Sequence, residues 1–390
     1  MKQGWEIKLL GEIADVEYGF TDKSVEEGDY RYVRITDIDS NGELISTEKK
    51  YLKHSKEAEG FLIRDKDLLM ARTGATFAKV LLYQDFEPSV FASYLIRINF
   101  KEKVENKLYW YFTKTKSYWE QANSLASGAA QPHFNGAAVK QVVFSYPKSL
   151  PEQQRIVAIL DEAFSAIAKA KANAEQNLKN SKELFESYLQ GFFENGNWEK
   201  KRIDAICTLI NGRAYKKQEL LNEGKYTVLR VGNFFTNNHW YYSDLELPDD
   251  KYCQEGDLLY AWSASFGPRI WKGKKVIYHY HIWKVIPNLS IVSKEFLFIL
   301  LEWDKEKIKA AQGTGTTMMH VSKGSMEERI IPLPPIKEQQ KIVQKLDALS
   351  AETKKLEAIY YQKINDLEEL KKSVLQKAFS GELKTEKALV

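Results

Sequence analysis

The sequence predicts an α/β chain of the mixed α+β kind. Two repeated globular domains are each followed by a long helix, and the two helices pair as an antiparallel coiled coil. Three observations predict it. Glu152–Asp161 reads EQQRIVAILD and Glu338–Asp347 reads EQQKIVQKLD, and holding that offset of 186 without a gap matches about 16 of 42 positions. Downstream of each motif, apolar residues return at steps of three and four, the period of an amphipathic helix. Upstream of each motif, short β-branched and aromatic runs alternate with shorter amphipathic stretches, as in a domain with helices packed on a curved sheet.

The elements follow in order and then repeat. Trp5-Glu6 opens the first copy and Trp198-Glu199 the second. Tyr32–Ile35, Asp67–Ala71, Lys79–Tyr83 and Leu95–Asn99 read as strands, and Lys107–Leu125 as a helix with one apolar face. In the second copy Thr227–Val231, Asp257–Trp262, Arg269–Trp271 and Val276–Ile286 read as strands, and Lys294–Ala311 as a helix. The first long stripe runs through Ile156, Leu160, Ala163, Ile167, Ala170, Ala174, Leu178, Phe185 and Tyr188. The second runs through Ile342, Leu346, Leu349, Leu356, Tyr360, Ile364, Leu367, Leu370 and Val374. Pro151 and Pro335 stand where the two helices begin, at positions where a missing N–H costs nothing, and Gly381 closes the second helix. At about 1.5 Å per residue each helix extends roughly 60 Å, and a single apolar stripe of that length needs a partner. The expected division is therefore a globular domain over 1–151, a helix over 152–193, a second domain over 194–337, a second helix over 338–380 and a tail over 381–390.

Composition excludes several classes. The 390 residues carry 44% hydrophobic side chains and no run of about 18 apolar residues, so neither wholesale disorder nor a membrane span is expected. The opening MKQGWEIKLLGEIADV has no long apolar stretch, which predicts no signal peptide. Two cysteines, Cys207 and Cys253, make no disulfide framework and point to a reducing cytoplasm. Net charge is +4, too small for binding nucleic acid through a bulk field. The helices are close to neutral, with 5 basic and 6 acidic residues over 152–193 and 8 and 7 over 338–379, as befits a solvated spacer. Residues 1–151 hold 21 basic and 21 acidic residues and residues 194–337 hold 21 and 17, so any affinity for phosphate must come from local patches. No P-loop, dinucleotide fingerprint, nucleophile elbow or Asn/Asp-Pro-Pro-aromatic methyltransferase motif occurs. His279 and His281, two apart in an expected strand, suggest a metal site with Cys253 or His239, but packing among Tyr278, Tyr280 and Trp283 is the stronger reading.

The loops suit DNA better. Arg72-Thr73-Gly74 follows a strand directly, where a small-residue turn lets backbone approach phosphate and an arginine can fork onto guanine O6 and N7. Trp262-Ser263 occupies the same slot in the second copy, so one scaffold carries different side chains at the reading position. Ser127-Gly128 with Gln131 and His133, and Thr314 and Thr316 with His320, form matching loops rich in hydrogen-bonding groups, and Gln131 suits adenine. Arg34, Arg213 and Arg230 complete the candidate contacts.

On these residues the chain resembles the specificity subunit of type I restriction-modification systems. The resemblance rests on the doubled layout, the Trp-Glu openings, the Asp-Leu-Leu strands (Asp67–Leu69, Asp257–Leu259), the helix starts Pro151–Val157 and Lys337–Val343, and the Leu-Gln-x-x-Phe endings at Leu189–Phe193 and Leu375–Phe379. The first copy departs just before its helix, with Tyr-Pro-Lys-Ser-Leu-Pro where the second has Ile-Pro-Leu-Pro-Pro. The resemblance implies that each globular domain is a target recognition domain reading one half of a bipartite double-stranded DNA sequence. The helices would be the spacer between half-sites and would dock two modification subunits, which carry S-adenosylmethionine and methylate adenine. Restriction subunits using ATP and Mg would join the complex. This chain would be catalytically silent, with no cofactor or metal of its own. The competing readings are the specificity module of a related methyltransferase system and a protein-interaction scaffold without DNA contact.

Overall fold

The structure is a computed structural model, and it describes residues 3–39, 41–128, 132–235, 237–263, 266–312 and 320–383. Two compact units form, residues 1–175 with 361–390 and residues 176–360. Each unit thus contains one globular domain and a portion of both long helices.

In the first unit an antiparallel sheet has the strand order Ala14–Tyr18, Leu95–Phe100, Leu68–Ala71, Val80–Leu82. A second sheet orders Tyr51–Leu52, Tyr30–Val33 and Ser89–Phe91, the last two parallel. Trp5–Leu9 pairs with Val143–Pro147. The second unit repeats this plan. Its antiparallel sheet orders Cys207–Asn211, Ile282–Pro287, Leu258–Ala261 and Gly267–Ile270. Its mixed sheet orders Tyr241–Ser243, Tyr226–Leu229, Val276–Tyr278 and Tyr252–Cys253, and Glu199–Arg202 pairs with Ile330–Leu333. The central runs LLMA (68–71) and LLYA (258–261) are buried at every position, as a strand covered on both faces must be.

Two expected elements are broken. The stretch 107–125 forms two helices, Asn106–Phe112 and Lys116–Leu125, because Thr115 leaves the helical register and its Oγ1 accepts from Tyr118 N at 3.2 Å as an N-cap. The stretch 276–286 is two strands in two different sheets. Between them Ile282 N donates to His279 O at 2.9 Å, so His279 and His281 lie in a turn between sheets and do not share a strand face.

The long helices span Leu150–Asn195 and Ile336–Ser380. In the first unit Ile156 and Leu160 share a core with Leu375 and Ala378, and Lys171 pairs with Glu368 at 2.5 Å. In the second, Phe193 shares a core with Ile342 and Leu346. The beginning of one helix therefore meets the end of the other inside each unit. The stripes are only partly buried: Tyr188, Leu356 and Leu370 are exposed, contrary to the expected continuous seam.

The repeated EQQ motif is explained by its middle residue, the first glutamine. Gln153 is fully buried; its Oε1 accepts from Glu105 N at 2.7 Å and its Nε2 donates to Lys103 O at 3.1 Å and Pro147 O at 2.8 Å. Gln339 repeats this, accepting from Ser293 N at 2.9 Å and donating to Ile291 O and Pro334 O, both at 2.8 Å. Only an amide supplies one acceptor and two donors in this geometry. Each helix start is thereby hydrogen-bonded to its own globular domain. Gln153→Glu places a carboxylate oxygen against two carbonyls, and Gln153→Ala leaves three buried backbone groups unpaired. Either should cost about 2–4 kcal/mol, read as a lowered urea midpoint, whereas Gln154→Ala in the same turn should be close to neutral. Equal effects at 153 and 154 would refute the staple.

Candidate nucleic-acid interface

Both units build their loops on the same backbone frame. In the first, Arg72 N donates to Tyr94 O at 3.0 Å and Phe134 N to Arg72 O at 2.8 Å. In the second, Trp262 N donates to His281 O at 3.0 Å and Val321 N to Trp262 O at 3.1 Å. Thr73 bridges His133 as Ser263 bridges His320. Nearby, Ala92 N donates to Val33 O and His279 N to Leu229 O, each at 2.9 Å. The loop positions of one unit therefore map onto the other: Arg72 onto Trp262, Tyr94 onto His281, Ala92 onto His279, Phe20 onto Arg213, and Arg34 onto Arg230. Backbone bonds hold the frame, so the side chains upon it can differ.

Arg72 is half-buried, with its guanidinium over the Tyr18 ring at 5.2 Å and the Tyr94 ring at 5.8 Å, and it makes no ion pair among the described residues. Gly74 beside it takes φ of +78°, a conformation that strains any side chain bearing a Cβ. Ser127, Gly128 and His133 are exposed, and Ser127 and His133 exchange backbone hydrogen bonds of 3.0 and 2.8 Å. His320 is exposed in the second unit, and Trp262 is half-buried, its Nε1 donating to Tyr280 O at 2.8 Å.

Other expectations need correction. Thr73 and Ser263 are buried, so their hydroxyls face the interior and not a ligand. The Arg34 guanidinium is taken by Asp37, with bonds of 3.1 and 2.7 Å, and Arg213 is held by Glu219 at 3.1 and 2.8 Å; each neutralises its charge within the fold. Arg230 has no such carboxylate among the described residues and lies over the Tyr241 ring at 5.2 Å. Gln131, Thr314 and Thr316 lie outside the described residues. Cys253 belongs to a core, where burial pushes its thiol up to about 12. No group of three or more His, Cys, Asp or Glu able to hold a metal occurs among the described residues.

Several residues escaped sequence reasoning. A Cβ on Gly19 would stand 2.3 Å from Ala92 O, and one on Gly212 would stand 2.3 Å from Tyr278 O, so both glycines let two loops touch backbone to backbone. The spacing between Trp5 and Trp198 carries Gly19 onto Gly212, so extending that alignment would have found them. His279 and His281 stand 4.8 Å apart; burial, then His281 and Arg230, push His279 down to about 4, and burial, then His320 and Arg230, push His281 downward. Both imidazoles are neutral near pH 7.

Two copies of one loop-bearing scaffold, each stapled to a long helix and each presenting its own side chains, define a tandem recognition protein. The chain belongs to the family of the type I restriction modification DNA specificity domain, whose sequence profile matches residues 2–179 and again 195–368. It is similar to the specificity subunit of the type I restriction enzyme EcoBI of Escherichia coli, at 26% identity over 53% of this chain and 44% of that one. The chain thus spans about half the length of that relative. It is similar at 23% identity to the MjaIX specificity subunit of Methanocaldococcus jannaschii, over 98% of this chain and 94% of that one. Its fold matches a chain solved in work on complex assembly and conformational transition of the type I R-M system, with a TM-score of 0.77 and 18% identity over 98% of this chain and 99% of that chain.

The two kinds of arginine are separable. Arg34→Ala strands the buried Asp37 carboxylate and should cost about 2 kcal/mol or more of stability in the first unit. Arg72→Ala should change stability by no more than about 1 kcal/mol. Urea unfolding of both variants checks this; a stability loss at Arg72 matching that at Arg34 would make Arg72 structural.

Proposed function

We propose that this chain reads a bipartite double-stranded DNA target, one half-site per globular domain, 1–151 and 194–337, and contributes no catalytic group. The observation that carries the reading is the matched pair of loop frames with different side chains, Arg72 against Trp262 and Tyr94 against His281. Equivalent frames put two readers to the same task, and unequal side chains give the two half-sites different sequences. The long helices act as an antiparallel coiled-coil spacer that sets the half-site separation, as dimer geometry does in other readers. The near-neutral charge makes the isolated chain a weak DNA binder, with partners supplying further phosphate contact.

The likeness to type I specificity subunits implies the partners. Two modification subunits bring S-adenosylmethionine and methylate adenine, and restriction subunits bring ATP and Mg. A cytoplasmic location fits this role, and no described helix is long and apolar enough to cross a membrane. Support for two equivalent docking faces comes from Leu184 and Leu370. They stand one repeat apart, 186 residues, and both are exposed, at 58% and 48%. The same apolar residue stands exposed at the same repeat position twice, as two equivalent docking faces would present it.

Replacing residues 1–151 with another reader should change one half of the methylated motif and leave the other intact. Modification-sensitive sequencing of host DNA reads this directly, and a change in both halves refutes independent readers. Leu184→Asp and Leu370→Asp should each leave the unfolding midpoint within about 0.5 kcal/mol yet each remove one modification subunit, seen as a mass loss in native mass spectrometry. Retention of both subunits by the double variant would place the docking faces elsewhere.

A further inference from the structure

The second unit contains a polar cavity of about 360 Å³ lined by Arg230, Asn233, Asn237, His239, His279 and His281. None of these except Arg230 stood out as a candidate DNA contact, and the repeat explains how the cavity arises. Arg34 and Arg230 are equivalent: the preceding strands pair in parallel, Val33 with Phe91 and Leu229 with Tyr278. Three residues further along stand Asp37 in the first unit and Asn233 in the second. Asp37 receives both Arg34 bonds and the Arg34 backbone N–H at 2.8 Å. Asn233 carries no charge and turns away, its Nδ2 donating to Asn237 O at 3.0 Å and His239 O at 2.6 Å. The exchange of one acid for its amide therefore releases Arg230.

The released guanidinium has few ways to be satisfied within the fold. Among the described residues no carboxylate pairs with it, one face lies against the Tyr241 ring, and its neighbours His279 and His281 are neutral at pH 7 and cannot compensate a cation. A planar fork of donors, its central carbon 5.2 Å from the Tyr241 ring centroid at the wall of a polar cavity, is complementary to two adjacent acceptors in a plane. The major-groove edge of guanine, with O6 and N7, has that arrangement.

We propose that Arg230 is a specificity-determining residue of the second reader that takes the O6 and N7 of a guanine in its half-site, and that Asn233 is the residue that frees it. The proposal rests on the DNA-reading function argued above. The first reader lacks this contact at Arg34 because Asp37 occupies the same donors.

The test uses the complex assembled with its modification subunits. Three single variants are compared with wild type, Arg230→Ala, Asn233→Asp and, as control, Asn211→Ala. Asn233→Asp keeps the arginine and installs the ion pair that the first unit already tolerates, so it tests the idea even if Arg230→Ala unfolds. Both Arg230→Ala and Asn233→Asp should relax one G·C position of the second half-site, lowering discrimination there on the order of ten- to a hundred-fold, with the first half-site and the control unchanged. An unchanged motif in Asn233→Asp overturns the proposal. So does a uniform loss of affinity across sequences with a shallower salt dependence, which identifies a phosphate contact. A second half-site without any G·C pair overturns it as well, leaving the DNA-reading function in place. A wild-type complex that methylates no split sequence overturns that function and this proposal together.

Discussion

A buried, fully engaged glutamine amide is the constraint on which the rest of this molecule depends. A globular domain that runs on into a long helix keeps a fixed orientation on it only if the two are rigidly joined. Gln153 and Gln339 make that joint. Each sits in the first turn of its helix, without exposure, and binds two carbonyls and one N–H of its own globular domain. A neutral amide does this without the desolvation penalty of an ion pair. The flanking Glu152 and Glu338 do ordinary surface work, pairing with Arg155 and Lys341 one turn on. The specificity of the motif therefore resides in its first glutamine.

A second constraint operates where the chain changes sheets. Phe91 to Leu95 and Tyr278 to Ile282 each leave a parallel pairing and enter an antiparallel one within four residues. The turn between them carries Ala92 and Tyr94 in one unit and His279 and His281 in the other, held by backbone bonds and by a glycine at each point of contact. Side chains on such a turn contribute little to the frame. That separation of scaffold from surface lets one fold support different recognition sequences.

Electrostatics follows the same division. The four candidate arginines split evenly, one of each kind per unit. Arg34 and Arg213 are neutralised by Asp37 and Glu219, while among the described residues Arg72 and Arg230 lie near aromatic rings and pair with no carboxylate. A net charge of only +4 therefore coexists with placed cations that no described carboxylate offsets.

The sequence by itself determined the periodic and repetitive features. The two copies, the long helices with the prolines at their starts, the strands at the Asp-Leu-Leu runs and the matched slots of Arg72 and Trp262 were all legible, because periodicity and repeat spacing are local properties of the chain. Tertiary structure alone decided which polar groups meet. The stretch 276–286 reads as one strand since its composition is uniformly β-forming, yet it divides because its two halves find partners in different sheets. Arg34 and Arg230 look alike in one dimension and differ because Asp37 closes on the first and Asn233 turns from the second. Thr73 and Ser263 read as loop donors and are buried. Arg34 meets Asp37 three residues on and Asn233 bonds residues four and six positions on, but which of several nearby groups a side chain meets depends on how the loop folds, and no local pattern encodes that.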